Sequence, residues 1–140
     1  MTTTVKWCKD CIAEGINRMR PAPHPGPRCV THHRSVIKAR KARAHETRVG
    51  NTYGLEVGEY DTLHRAQGGV CFICRRATGA SRRLSVDHDH RLEHLGMREA
   101  VRGLLCRPCN DLLGHCRDDV QMLARAIMYL NDPPARRALK

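Results

Sequence analysis

The chain has 140 residues, a formal charge of +11, eight cysteines, and only one Trp and one Phe. This length makes one domain, or one domain with a small appendage; the scarcity of aromatics means a thin core that needs a staple; and the charge predicts association with polyanions, nucleic acid before anionic lipid. No apolar run approaches a membrane span and MTTTVKWCKDC lacks an apolar leader core, so the expected setting is cytoplasmic and reducing, where paired cysteines are metal ligands before they are disulfides.

In chain order, residues 5 to 33 carry Cys8 and Cys11, then RPAPHPGPRC, then Cys29, His32 and His33. Pro21, Pro23, Pro25 and Pro27 exclude helix and central strand, so this stretch is a loop that something must hold. Cys8, Cys11, Cys29 and His32 fit a three-cysteine, one-histidine zinc set. His33 can replace His32, and His24 is a more distant alternative. HRSVIKARKARAHETRV then predicts a helix over residues 33–48, favoured by Ala39, Ala42 and Ala44. Its apolar stripe is little more than Val36 and Ile37. Arg34, Lys38, Arg40, Lys41, Arg43 and Arg48 are opposed by Glu46 alone, which marks an exposed helix or one laid on a partner; with the chain's charge, the region reads as a basic DNA-binding arm. GNTYG at 50–54 breaks the pattern and reads as a hinge, dividing the chain into 1–54 and 55–140.

Beyond it, VGEYDTLHRAQGG reads as a short helix, with Tyr60, Leu63 and Ala66 at helical spacing and a Gly-Gly stop. RLSV (83–86) and VRGLL (101–105) read as short strands. RPCNDLLGHC opens a helix with Pro108 in its first turn. DDVQMLARAIMYLND is the clearest helix, capped by Asp118 or Asp119, with Val120, Leu123, Ala124, Ile127, Met128 and Leu130 on its apolar side. That side either covers the core or meets a second copy. Pro133 and Pro134 end the helix, and ARRALK reads as a frayed basic tail.

Cys71 and Cys74 form one C-x2-C pair, and Cys106 and Cys109 another. Each pair can make a tight knuckle with both sulfurs on one ion, and two knuckles complete the tetrahedral four-thiolate set that suits Zn²⁺. A closed set of this kind leaves no open position, so it is structural. Zinc in such sites contributes on the order of 10–16 kcal/mol, comparable with the whole stability of an ordinary domain. Closing the segment 75–105 between the knuckles costs far less. Cys116 has no pair and reads as a core thiol.

Within that segment, Asp87, His88, Asp89 and His90 form the run DHDH at the end of the first strand. Alone it would be a solvated turn. Three features point elsewhere: the bracketing zinc pairs, Asn110 directly after Cys109 at a helix start, and the basic charge of the chain. One carboxylate plus one amide oxygen makes a sparse hard-oxygen site that suits Mg²⁺ with waters and substrate phosphate. A histidine titrating near neutrality can take the proton of an attacking water, while the metal neutralises charge on the phosphate. Asp89 is either an orienting group or simply exposed.

GGVCFIC, LSVDHDH and VRGLLCRPCN, in this order and spacing, resemble the phage recombination endonuclease VII family, within the His-Me finger (HNH-like, ββα-metal) nucleases. The resemblance covers roughly residues 58–131. It implies a small α+β fold: a zinc-stapled ββα-metal core with flanking helices. Here that core is joined to an N-terminal zinc-binding, helical, basic extension outside the resemblance. By position, Asp87 and Asn110 would hold a catalytic Mg²⁺ or Mn²⁺, His88 would be the general base and His90 would assist at the phosphate. Cys71, Cys74, Cys106 and Cys109 would hold zinc. The resemblance further implies branched DNA such as four-way junctions as substrate, a homodimer, and phage packaging or recombination proteins as partners in an infected bacterial cell.

The family pattern has a Glu three residues after the Asn. Here that position is Leu113, with Asp111 and His115 as candidate substitutes, and junction specificity rests on the difference. Two rivals stand beside this reading: a site-specific or nonspecific HNH nicking enzyme, and a non-catalytic zinc DNA-binding protein, which would leave DHDH and Asn110 without purpose. A zinc-dependent base deaminase is excluded because the chain has no H-x-E motif.

Overall fold

The computed structural model describes residues 5–139. Residues 1–4, part of the stretch read for a leader, and Lys140, the end of the basic tail, lie outside them. The chain divides into two compact units, with the boundary in sequence between Gly50 and Asn51.

In the first unit the Pro-rich loop winds over a small cysteine core. Cys8, Cys11 and Cys29 are buried, with Ile16 and Ala22 packed on them. Helix α1 (Lys9–Ala13) begins directly after Cys8. Since prolines bar a regular element, isolated backbone bonds hold the loop: Cys8 N–H donates to the Arg20 carbonyl, Lys9 N–H to Pro27 and Ala22 N–H to Lys6. Arg28 Nε also donates to Asp10 Oδ2 at 2.7 Å. Helix α2 (Val30–Tyr53) follows and runs past both of its expected ends. GNTYG does not break it. A glycine inside a helix costs only about 1 kcal/mol, and the chain leaves the helix at Gly54, which takes the left-handed conformation (φ 68°) of a helix-ending glycine.

The second unit contains α3 (Glu59–Ala66), β1 (Ser85–His88), a 3₁₀ turn (His90–Leu95), α4 (Met97–Ala100), β2 (Val101–Leu105), α5 (Arg107–His115), α6 (Val120–Asn131) and α7 (Ala135–Ala138). Strand β1 starts later than expected and takes in Asp87 and His88. It pairs antiparallel with β2: Ser85 with Leu105, Val86 with Leu104, Asp87 with Gly103, then His88 with Val101. Arg102 is the extra residue of a bulge, a device that bends a strand and re-aims its side chains.

Leu55, Tyr60, Leu84, Val86, Ala100, Leu104 and Leu105 are buried in this unit. The Tyr60 hydroxyl donates to the Leu84 carbonyl at 2.8 Å. A two-stranded sheet leaves β2 with an open edge, and Gln67 closes part of it. Its Nε2 donates to the Leu104 carbonyl at 2.8 Å and its Oε1 accepts from the Leu104 N–H at 2.7 Å. A Cβ at position 103 would lie 2.7 Å from that Oε1, so only Gly103 allows the approach. Helix α5 packs against β1.

Helix α6 is capped by Asp119, whose Oδ1 accepts from the N–H groups of Gln121 and Met122. None of its residues is buried. Val120, Ile127, Met128, Tyr129 and Leu130 are all exposed and Leu123 is half-buried. The helix therefore does not cover the core of its unit. The tail expected to fray forms the single helical turn of α7, with Arg137 paired to Asp132. Among the described residues, no helix is long and apolar enough to cross a membrane.

Candidate active site

The structure brings Cys71, Cys74, Cys106 and Cys109 together, with their sulfurs all within 4.8 Å of one another. Each pair wraps into a knuckle through one backbone bond: Arg75 N–H to the Cys71 carbonyl, and Asn110 N–H to the Cys106 carbonyl, both 3.0 Å. The backbone amides of Arg76 and Ala77 lower the Cys74 thiol to about 6. Burial, then the three neighbouring sulfurs, pushes Cys109 up to about 12. Four crowded thiols thus resist common ionisation, and one divalent cation relieves exactly that conflict. The set could hold zinc.

The second set is Cys8, Cys11, Cys29 and His32. His32 Nδ1 lies 3.2 Å from the sulfur of Cys8 and 3.4 Å from those of Cys11 and Cys29. Its Nε2 lies 3.0 Å from Glu14 Oε2, the carboxylate–histidine arrangement that orients metal-binding imidazoles. The hydrogen bond with Cys8, reinforced by Glu14, raises His32 to about 9. His33 instead stacks on His24, with ring centroids 4.3 Å apart. This set too could hold zinc, and it gathers His32 and not His33.

The DHDH residues divide by role. Asp87 is buried. Its Oδ2 accepts from Arg102 Nε at 2.7 Å and its Oδ1 from Arg102 Nη2 at 3.0 Å; the same Nη2 donates to Asp118 at 3.1 Å. His88 ends β1, half-buried, its ring tilted against Tyr53 and edge-on to His90, with centroids 5.6 and 4.5 Å away. Asp89 is buried and caps the 3₁₀ turn. It accepts from the Arg91 N–H at 3.0 Å and from the Arg91 guanidinium at 3.0 and 2.8 Å, and these bonds hold its carboxyl well below the usual carboxylate range. It is thus neither exposed nor turned to the histidines. His90 opens the 3₁₀ turn with its side chain 73% exposed.

Glu93, on the same turn, joins the two histidines. Its Oε1 lies 3.1 Å from His88 Nε2 and 2.6 Å from His90 Nδ1. The bond to His90, then that to His88, holds the Glu93 carboxyl below its ordinary value. Sequence reasoning passed over Glu93, although its place three residues after His90 puts the two on one face of a turn. It also passed over Glu14, Tyr53 and Arg102. Leu113 is half-buried in α5, and Asp111 accepts from Arg107 at 3.4 Å. The carboxylate that meets the histidines is therefore Glu93, supplied from the turn and not from the helix.

Asn110 lies in the first turn of α5. Its Oδ1 is buried and has no hydrogen-bond partner among the described residues. An orphaned buried carbonyl oxygen is costly, and a hard cation would satisfy it. Each Asp87 oxygen accepts from Arg102 but keeps a further lone pair. Asp87 and Asn110 therefore each keep a hard oxygen donor of the type that a divalent ion takes. Far along the chain, Arg34, Lys38, Arg40, Lys41 and Arg43 are all exposed on α2.

Comparison with known proteins agrees with these motifs. Residues 46–132 match the family described as recombination endonuclease VII. The Gene 59 protein of Mycobacterium phage D29 is 51% identical over 131 residues, which cover 93% of this chain and 76% of that protein. The Gene 59 protein of Mycobacterium phage L5 is 50% identical over the same shares. No solved structure gives a significant match. The matched span and the extent of identity together establish that the chain belongs to the recombination endonuclease VII family.

Proposed function

We propose that the protein is a divalent-metal-dependent DNA endonuclease that hydrolyses phosphodiester bonds in branched DNA, four-way junctions above all. The observation that carries this reading is the buried, unpartnered Asn110 oxygen, on the helix that packs against the strand bearing Asp87 and His88. The order β1, β2, α5, with the base at the end of the first strand and a metal ligand on the helix, supports a His-Me finger core.

In this reading His88 is the general base. A carboxylate only accepts hydrogen bonds, so Glu93 requires the proton of His88 on Nε2 and leaves the lone pair on Nδ1. Nδ1 is then the atom that takes the proton of the attacking water. Glu93 likewise fixes the proton of His90 on Nδ1, and the exposed His90 ring assists at a phosphate oxygen. Asp87 and Asn110 would hold Mg²⁺ or Mn²⁺, which when bound neutralises charge on the phosphate and on the leaving oxygen. The two cysteine-rich sets hold structural zinc, and the exposed basic residues of α2 bind the DNA backbone. The open apolar side of α6 supports a homodimer, which symmetrical cutting of a junction needs. The phage relatives support action in an infected bacterial cell; phage packaging or recombination proteins as partners come from the resemblance alone.

The test compares four-way junction, supercoiled and linear DNA side by side with Mg²⁺ or Mn²⁺. Preferential junction cutting is expected, and His88→Ala should lower it about 10²–10⁴-fold with zinc content and DNA binding intact. Equal nicking of all three substrates would replace the junction by a general nicking activity. No cutting with either ion would leave a zinc DNA-binding protein.

A further inference from the structure

We propose that His88, His90 and Glu93 form a third metal site, for a borderline divalent ion of the zinc class, and that filling it silences the base. The silencing rests on the endonuclease reading above; the site does not. His88 Nε2, His90 Nδ1 and Glu93 Oε1 all lie within 4.8 Å of one another, and the two nitrogen–oxygen edges measure 3.1 and 2.6 Å. Neighbouring ligands at about 2.0–2.1 Å from one zinc ion lie about 3 Å apart, so small side-chain shifts turn this triangle into three ligand positions. Two imidazoles and one carboxylate make a donor set that zinc-class ions prefer and Mg²⁺ does not. It is chemically distinct from the hard oxygens of Asp87 and Asn110.

The site is pre-formed and reachable. His90 and Glu93 share one face of the 3₁₀ turn that Asp89 caps, and His88 is fixed by the end of β1. The side chains of His90 and Glu93 are 73% and 41% exposed, which opens a path for the ion. The consequence for His88 follows from tautomer chemistry. A metal on Nε2 takes that nitrogen's lone pair, so the proton of the neutral ring must sit on Nδ1. Nδ1 is the atom the base needs free. Occupation by zinc and service as a base are therefore mutually exclusive states of one ring, and zinc should inhibit without displacing the ion at Asp87 and Asn110.

The experiment is equilibrium dialysis of the full chain, both cysteine sets loaded, against free Zn²⁺, with metal content read by atomic emission. Three zinc ions per chain are expected in the wild type and in His94→Ala, a control at an exposed histidine outside the triangle, but two in His90→Ala and Glu93→Ala. Where an alanine variant also loses a structural zinc, His90→Asn and Glu93→Gln are read in its place. A wild type that stops at two, or variants that keep three, overturns the site. In parallel, Zn²⁺ is titrated into cleavage at fixed excess Mg²⁺, and cutting should fall as the third ion is taken up. Unchanged cutting with the third ion bound overturns the silencing. A protein that cuts nothing under any condition refutes the endonuclease reading instead, and the zinc count still decides the site.

Discussion

Arg102 grips Asp87 through both carboxylate oxygens, at 2.7 and 3.0 Å. A fixed cation thus stands beside a carboxylate assigned to a divalent ion. It orients Asp87 but repels the ion. Arg102→Gln keeps a hydrogen-bond donor and removes the charge. For a group about a third exposed, the repulsion is screened to about 1 kcal/mol. The Mg²⁺ concentration for half-maximal cleavage should therefore fall about threefold to tenfold in the variant. A titration of rate against Mg²⁺ measures it, and an unmoved midpoint would argue that Asp87 holds no metal.

Gln67 serves as the missing neighbour of β2, bonded to both backbone groups of the fully buried Leu104. Gln67→Leu keeps the bulk and orphans the Leu104 N–H inside the fold, while the Leu104 carbonyl keeps only the Phe72 N–H at 3.3 Å. A loss of about 1–3 kcal/mol is expected, read as a lower midpoint in thermal or urea unfolding. An unchanged midpoint would mean that water replaces the side chain at no cost.

Cys109→Ser should remove one zinc ion per chain and leave the set of Cys8, Cys11, Cys29 and His32 loaded. Such zinc contributes on the order of 10 kcal/mol, as much as an ordinary fold possesses, so the second unit should lose its cooperative unfolding transition. A chelator should reproduce the effect in the wild type. Protons compete with zinc for thiolates and imidazole, so retention falls as pH falls. Metal analysis and circular dichroism across pH test this.

Neutralising Arg40, Lys41 and Arg43 together should weaken binding to every DNA sequence alike. Three lost phosphate contacts would flatten the slope of log K against log salt by about 2 to 3. Titrations at several salt concentrations measure the slope; if it does not change, α2 is not the DNA-binding arm.

Ile127 and Leu130 are 61% and 74% exposed on α6. If two copies meet there, Ile127→Glu with Leu130→Glu should convert a dimer to a monomer in sedimentation, with the zinc content unchanged. A wild type that sediments as a monomer at all concentrations would dismiss the interface.

The cysteine sets were legible in the sequence because ligand spacing within a knuckle is local: two residues between sulfurs fix the turn before any packing occurs. The strands around DHDH and the caps at Pro108 and Asp119 are local in the same way. Long-range convergence was not legible. Glu93 meets His88 only because a strand end runs into a 3₁₀ turn, and Arg102 meets Asp87 only because of an unpaired residue in β2. The helix break expected at GNTYG did not occur, because a glycine's helix cost is small beside the favourable run it interrupts, although the two compact units divide within that segment. For α6, periodicity revealed an apolar side but not what would cover it.

The bulge at Arg102 has a corollary. Because this residue has no partner opposite it, exchanging its side chain leaves the ladder intact. Excising it would make the ladder regular while changing the pitch at which His88 leaves the hairpin. Chain length at this spot is therefore constrained by the exit angle of His88, and residue type not by the ladder but by the grip on Asp87.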